Sequence, residues 1–187
     1  MSIGRMCRVL AVMLAVVLVV GIVGVWVLPV REVRAKGRTD GGQMTIAVAG
    51  AYSLVILPTG CLWAWGWNEH GQLGDGTTID RHYPVHIMEN VAAVSARVSH
   101  TLAIRTDGSL WAWGSNHSGQ LGDGTTIDRH APVRIMENVV AVSTTVSHTV
   151  AIRTDGSLWT WGNDANGQLG IGTITSRAEP YFLKLLK

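Results

Sequence analysis

Seven histidines are the residues of this chain best suited to proton transfer or metal binding. His100 and His148 lie 48 residues apart, each opening the same string His-Thr-x-Ala-Ile-Arg. Recurrence at equal positions points to a structural task, a hydrogen bond to a backbone group of an adjacent turn, because a catalyst need not be repeated in every unit. His82 and His130 follow Arg81 and Arg129 in a polar stretch and read as solvated. No His-x-x-x-His and no Cys-x-x-Cys spacing occurs, so the sequence predicts no metal centre. Asp75-Gly76-Thr77 and Asp123-Gly124-Thr125, with Asp80 and Asp128 downstream, offer oxygen ligands for calcium. They are too sparse for the six to eight oxygens calcium takes, and the third copy has Ile171 and Ser176 instead. A Gly-x-Ser-x-Gly elbow is absent, and no lysine follows the glycines of 71–76 as a phosphate-binding loop requires. The expectation is no catalytic residue and no cofactor.

Tryptophan is the other chemically informative residue. Trp63, Trp65, Trp111, Trp113, Trp159 and Trp161 recur at fixed spacing, which predicts packing between units. Trp67 differs, because its counterparts are Ser115 and Asn163. No repeat-wide role accounts for it, and an exposed aromatic can anchor a partner. The same comparison singles out Tyr83 against Ala131, His86 against Arg134, and Arg97 against Thr145. Trp67, Tyr83, His86, Arg97 and Arg134 are the candidate partner-binding positions.

These residues sit in three 48-residue units, 43–90, 91–138 and 139–186. A fixed period of this size means stacked or circular units that bury their faces on neighbours. Each unit reads as four short strands. In the second, Val91–Ser95 is followed by His100–Arg105, with Leu102 and Ile104 on one face. Asp107-Gly108 then signals a hairpin. Leu110–Trp113 returns with both tryptophans on one face. A polar, glycine-containing loop follows, with Leu121 as its buried peg. Pro132–Ile135 forms an outer strand where a proline is tolerated. No helical periodicity appears after residue 42. Four-stranded units of this length predict propeller blades, with a β-solenoid as the alternative.

The string His-Thr-Leu-Ala-Ile-x-x-Asp-Gly-Ser-Leu-Trp-x-Trp-Gly-x-Asn-x-x-Gly-Gln-Leu-Gly-x-Gly resembles the repeat of the regulator of chromosome condensation family, over residues 43–186. The resemblance implies an all-β propeller of four-stranded antiparallel blades, normally seven in a ring. Three units imply a partial propeller. Such a chain is expected to be a piece of a longer propeller, to self-associate over its open edges, or to be a capped arc. The family tends to carry glycine where Ala49, Arg97 and Thr145 stand here. The first unit also replaces the histidine by Tyr52 and the Asp-Gly turn by Thr59-Gly60, with Pro58 just before it, so it reads as a boundary blade. The family prototype binds chromatin and promotes nucleotide exchange on a small GTPase, and bacterial relatives inhibit β-lactamases. Exchange-factor activity and secreted enzyme inhibition are thus the implied alternatives to a plain scaffold.

Residues 1–42 have a different character. Val9–Leu28 carries no charge and is long enough to span a bilayer or to serve as a signal peptide, with an apolar helix expected there. Basic residues flank it on both sides, and orientation stays open. Residues 1–42 hold six Lys/Arg and two acids, leaving nine Lys/Arg and eleven acids of the totals 15 and 13 for 43–187. The repeats are mildly acidic, which argues against nucleic acid as a partner. Cys7 precedes the apolar run and Cys61 lies in the first unit, and a membrane or a cleavage between them predicts that they do not pair. The sequence therefore predicts a non-enzymatic protein-interaction scaffold, exported or membrane-tethered, with a protein partner and self-association as its expected contacts.

Overall fold

The computed structural model describes residues 44–184. The expected apolar helix at 9–28 lies outside the described residues, among which no helix is long and apolar enough to cross a membrane. The described chain forms twelve strands in three antiparallel sheets. The first blade comprises β1 (Thr45–Ala49), β2 (Tyr52–Ile56), β3 (Leu62–Gly66) and β4 (Arg81–Met88). The second comprises β5 (Val91–Arg97), β6 (His100–Arg105), β7 (Leu110–Gly114) and β8 (Arg129–Met136). The third comprises β9 (Val139–Thr144), β10 (His148–Arg153), β11 (Leu158–Gly162) and β12 (Arg177–Leu183). Strands follow chain order across each blade. β5 lies against both β1 and β9, so the first strand of each blade is innermost and the fourth outermost. Blades of this kind define a propeller arrangement and leave no place for the solenoid.

Each inner hairpin closes as its turn residues dictate. Gly108 N donates to Arg105 O at 2.9 Å, and Arg105 N donates to Ser109 O at 2.9 Å. Thr106 and Asp107 occupy the centre of the turn, and only Gly108 takes positive φ, at 79°. The connection is thus a three-residue turn ended by a left-handed glycine, not a two-residue turn with positive φ throughout. In the first blade Gly60 N donates to Leu57 O at 2.8 Å. Pro58 then falls at the position that favours a fixed φ near −65°, so the departure at Pro58-Thr59-Gly60 keeps the same turn.

The chain passes between blades through a clamp. Asn90 and Asn138 take φ values of 60° and 59°, which asparagine tolerates better than most residues. Val91 N donates to Gly60 O of the preceding hairpin, while Thr106 N donates to Asn90 O from the following blade. Val139 N to Gly108 O and Thr154 N to Asn138 O repeat this pattern. Consecutive blades are therefore tied by backbone bonds as well as by side chains.

Two apolar cores lie between the blades, and a third, of Val55, Leu57, Cys61 and Trp63, lies on the first blade alone. Leu54, Ile56, Leu62 and Leu73 of the first blade meet Val91, Val94, Ala103 and Trp113 of the second. Leu102, Ile104, Leu110 and Leu121 of the second meet Val139, Ala151 and Trp161 of the third. Trp111 and Trp159 pack against the same cores as Trp113 and Trp161, which places both tryptophans of each pair on one face. Leu73, Leu121 and Leu169 are buried pegs of the long loops. Burying an indole of this size contributes on the order of 5 kcal/mol before conformational entropy is subtracted. Among the described residues the outward face of the third blade is less covered: Ile152 is 41% exposed where Ile104 is 5% exposed.

Cys61 is buried, with Thr59 Oγ1 3.1 Å from its sulfur, and the expectation about its pairing with Cys7 lies outside the described residues. Ser109 and Ser157, at the equivalent positions, accept from Trp111 Nε1 and Trp159 Nε1 at 2.9 Å. With sulfur in that place, the buried Nε1 of Trp63 is left without an acceptor.

Gly74 shows how tightly the second tryptophan is seated. A Cβ on Gly74 would lie 2.6 Å from Trp113 Nε1, whereas one on Gly76 would meet nothing within 4 Å, and both glycines have φ +83°. Gly76→Ala therefore carries backbone strain alone, about 1 kcal/mol, and Gly74→Ala carries strain plus displacement of the indole, about 3 kcal/mol or more. Urea denaturation followed by tryptophan fluorescence checks the difference; equal losses would mean that the indole seat is not tight.

Candidate functional site

The β1–β2 turn and the loop leaving β3 lie at the same end of the first blade, because Tyr52 pairs with Gly66 and Trp67 N donates to Ala51 O. The long loops, residues 67–80, 115–128 and 163–176, thus gather at one end of the array. Their shape rests on a buried asparagine. Asn116 Nδ2 donates to Asp123 Oδ1, Thr125 O and Ile127 O at 3.0–3.1 Å, and its Oδ1 accepts from Leu121 N at 3.0 Å. Asn116 N donates to Asp128 Oδ1 at 2.7 Å. Asn68 makes the same set of bonds in the first blade. The third blade has Asp164 instead, which accepts from Leu169 N but cannot donate, and its Oδ2 is buried without a partner.

The acids that suggested calcium are engaged by the protein itself. Asp75 Oδ2 accepts from Arg81 Nε at 2.6 Å, and its Oδ1 accepts from Thr77 N and Oγ1. Burial alone would raise the Asp75 carboxyl, but these bonds from Thr77 and Arg81 together hold it below its ordinary value. Asp123 is held down in the same way by Arg129 and Thr125.

The loop peg delivers a backbone acceptor to the next blade. Gln72 O accepts from Trp113 Nε1 and from Thr101 Oγ1, both at 2.9 Å. Gln120 O accepts from Trp161 Nε1 and Thr149 Oγ1 at the same distances. The recurring His-Thr, Trp-x-Trp-Gly and Gly-Gln-Leu-Gly strings are the three parts of this contact.

His100 has a structural task, though not the one expected. Its Nε2 lies 2.6 Å from Thr144 Oγ1 of the next blade, and Thr144 Oγ1 donates to His148 O at 3.1 Å. The expected bond to a backbone group in a neighbouring turn is thus replaced by a hydroxyl relay between blades. At the preceding junction the Thr144 position is Ala96, which has no hydroxyl. There the longer Tyr52 reaches His100 O directly at 2.7 Å. Tyr52 with Ala96 and His100 with Thr144 are two solutions to one contact.

The candidate binding positions do not form one patch. Trp67 is half-buried at the long-loop end, its ring edge-on to His70 at 5.5 Å. Arg97 ends β5 at the same end of the second blade, paired with His100. Tyr83, His86 and Arg134 lie on the outer strands β4 and β8. Tyr83 is 77% exposed. His86 packs edge-on to Trp63 at 5.4 Å, and Arg134 Nη2 bonds Glu137 at 2.9 Å.

A constellation that sequence spacing did not suggest lies beside Trp67. His70 Nδ1, His117 Nε2 and Asp128 Oδ2 all fall within 4.8 Å of one another. His70 comes from the first loop, and His117 and Asp128 come from the second. The signal that finds them is that residues about one period apart occupy neighbouring loops.

Three four-stranded blades joined by these contacts make the chain a propeller-type repeat protein. It belongs to the regulator of chromosome condensation (RCC1) repeat family, whose pattern matches residues 59–104, 107–152 and 155–187. A second pattern of the same description matches 91–120 and 139–168. No curated protein sequence matches the chain. Among solved structures it is similar to Prp20p of Saccharomyces cerevisiae, studied for its binding to Gsp1p and histones, at 20% identity and a TM-score of 0.65, over 75% of this chain and 38% of that one. It is likewise similar to yeast RCC1 (Prp20) bound to Kap60, at 21% identity and a TM-score of 0.65, over 75% and 36%. The chain thus spans well under half the length of these structures, and the likeness concerns the fold.

Burial lowers the His100 imidazole from its ordinary 6.5 to about 4. Between these values the unfolded chain takes up a proton that the folded chain refuses. Stability contributed by this residue is therefore complete above about pH 6.5 and falls as the pH drops towards 4, by on the order of 3 kcal/mol. Urea midpoints between pH 7 and 4.5 should show this decline, and His100→Gln should flatten it. An unchanged slope in that variant would remove His100 as the cause.

Proposed function

We propose that the chain is a non-enzymatic scaffold that presents the long-loop end of its blades to a protein partner. The observation that carries this reading is Trp67. It is a large aromatic that no other unit requires, held half-buried on a loop that Asn68 fixes from within. Binding through loops on a rigid scaffold is the general use of such folds. Arg97 shares that end, and Arg enriched beside an aromatic is a common composition of interface anchors. Tyr83, His86 and Arg134 form a second, separate candidate surface on the outer strands.

Family membership supports an interaction role and gives no catalytic group. Small-GTPase regulation is the second reading, favoured by likeness to a fold studied for binding Gsp1p. The open face of the third blade, with Ile152, Tyr181 and Phe182 partly exposed, supports association with a further blade-like surface, a second copy included.

Photo-crosslinkers placed at 67, 97, 83 and 134 should trap a partner at 67 and 97, and Trp67→Ala should then weaken that partner's affinity at least about tenfold. Trapping at 83 and 134 alone would move the interface to the outer strands. Acceleration of guanine-nucleotide release from a small GTPase would replace the scaffold reading with the second one.

We further propose, from the apolar run Val9–Leu28, placement at a membrane or outside the cell. Cell fractionation should recover the chain with membranes or in the exported fraction. An unprocessed product in the soluble cytosol would overturn this.

A further inference from the structure

We propose that His70, His117 and Asp128 form a binding site for a divalent transition-metal ion across the junction of the first two blades. Asp128 Oδ2 already lies 3.1 Å from His70 Nδ1 and 3.8 Å from His117 Nε2. Ligand atoms sharing one zinc ion at bond lengths near 2.1 Å sit about 3–3.5 Å apart. One pair is therefore in place. The third ligand needs only a rotation of His117, whose side chain is 72% exposed. Two imidazoles and one carboxylate favour zinc, cobalt, nickel or copper over calcium and magnesium, which take oxygen.

The repeat does not require these groups. His70 has Ser118 and Asn166 as counterparts, and His117 has Glu69 and Ala165. Asp128 does have a scaffold task, but it uses the other oxygen: Oδ1 accepts from Asn116 N, as Asp80 Oδ1 does from Asn68 N. At the next junction the corresponding trio is Ser118, Ala165 and Ser176, which offers no imidazole and no carboxylate. The triad thus occurs at one junction and is absent from the other.

The site is also partly organised. Asp128 is held by the loop that Asn116 braces, and the His70 ring stands between Trp67 and His117, edge-on to both at 5.5 and 5.9 Å. Three protein ligands leave coordination positions for water or for a group from outside, as in open metal sites. The metal site stands on this geometry alone and does not depend on the long-loop end binding a protein.

The test is titration of the full chain with zinc by calorimetry and with cobalt by visible absorption. The second and third repeats supply substitutions that this scaffold already accommodates: His70→Ser, as at Ser118, and His117→Ala, as at Ala165. The wild type should bind one equivalent and give cobalt bands of nitrogen–oxygen coordination. Each variant should lose at least about tenfold in affinity, while His82→Ala binds as the wild type does. Circular dichroism of the variants checks that they fold. No saturable binding by the wild type, or binding unchanged in the double variant, overturns the proposal.

Discussion

One carbonyl oxygen at each junction organises the array. Gln72 O, and Gln120 O after it, accepts an indole N–H and a threonine hydroxyl from the following blade. Both donors are fully buried, so each would be costly to leave unpaired. For the carbonyl to reach them, the loop must fold back over the edge of its own blade. That demand explains the rest of the loop: a leucine peg that dives into the core, an asparagine that ties peg to loop, and a glycine with no side chain where the indole lies. The tryptophan supplies area, and the carbonyl sets where that area must sit. Apolar burial alone would tolerate sliding of one blade over the next, and the paired hydrogen bonds do not.

A scaffold specified so closely has little freedom left for chemistry. The glycines, leucines and asparagines of the loops are spoken for, as are Asp75 and Asp123. Variation survives where a side chain leaves the loop without supporting it. His70, His117 and Trp67 are such positions, and they fall together because adjacent loops lie side by side. The junction of two blades is thus a natural place for a ligand in a repeat protein, since each loop contributes residues without altering its own fold.

Much of the fold was legible because the repeat shows it three times. Strand alternation, the buried leucine of each loop and the shared face of each tryptophan pair follow from period-two geometry within one unit. Contacts between units were less legible. The Asn90 and Asn138 clamps involve backbone groups, which leave little trace in side-chain pattern. The partner of His100 lies in the next unit, and the compensation between Tyr52–Ala96 and His100–Thr144 emerges only when adjacent units are compared at two positions together. The His70, His117 and Asp128 group escaped for the same reason, since metal-site spacings are usually sought within a single element.

The carbonyl contact has a direction. Every blade offers its acceptor forward, towards higher residue numbers, and its indole and hydroxyl backward. Gln168 carries the next acceptor position, and Trp65 and Ser53 stand at the first donor positions. Two surfaces that differ in this way are not self-complementary. A single such joint between two copies is not isologous, and a pair of copies becomes twofold only when both joints form and the ring closes. Such an assembly is heterologous: it closes only when the rotation between blades returns the last to the first, and otherwise it extends without limit. The polarity of one hydrogen-bonded carbonyl therefore decides the symmetry open to the whole array.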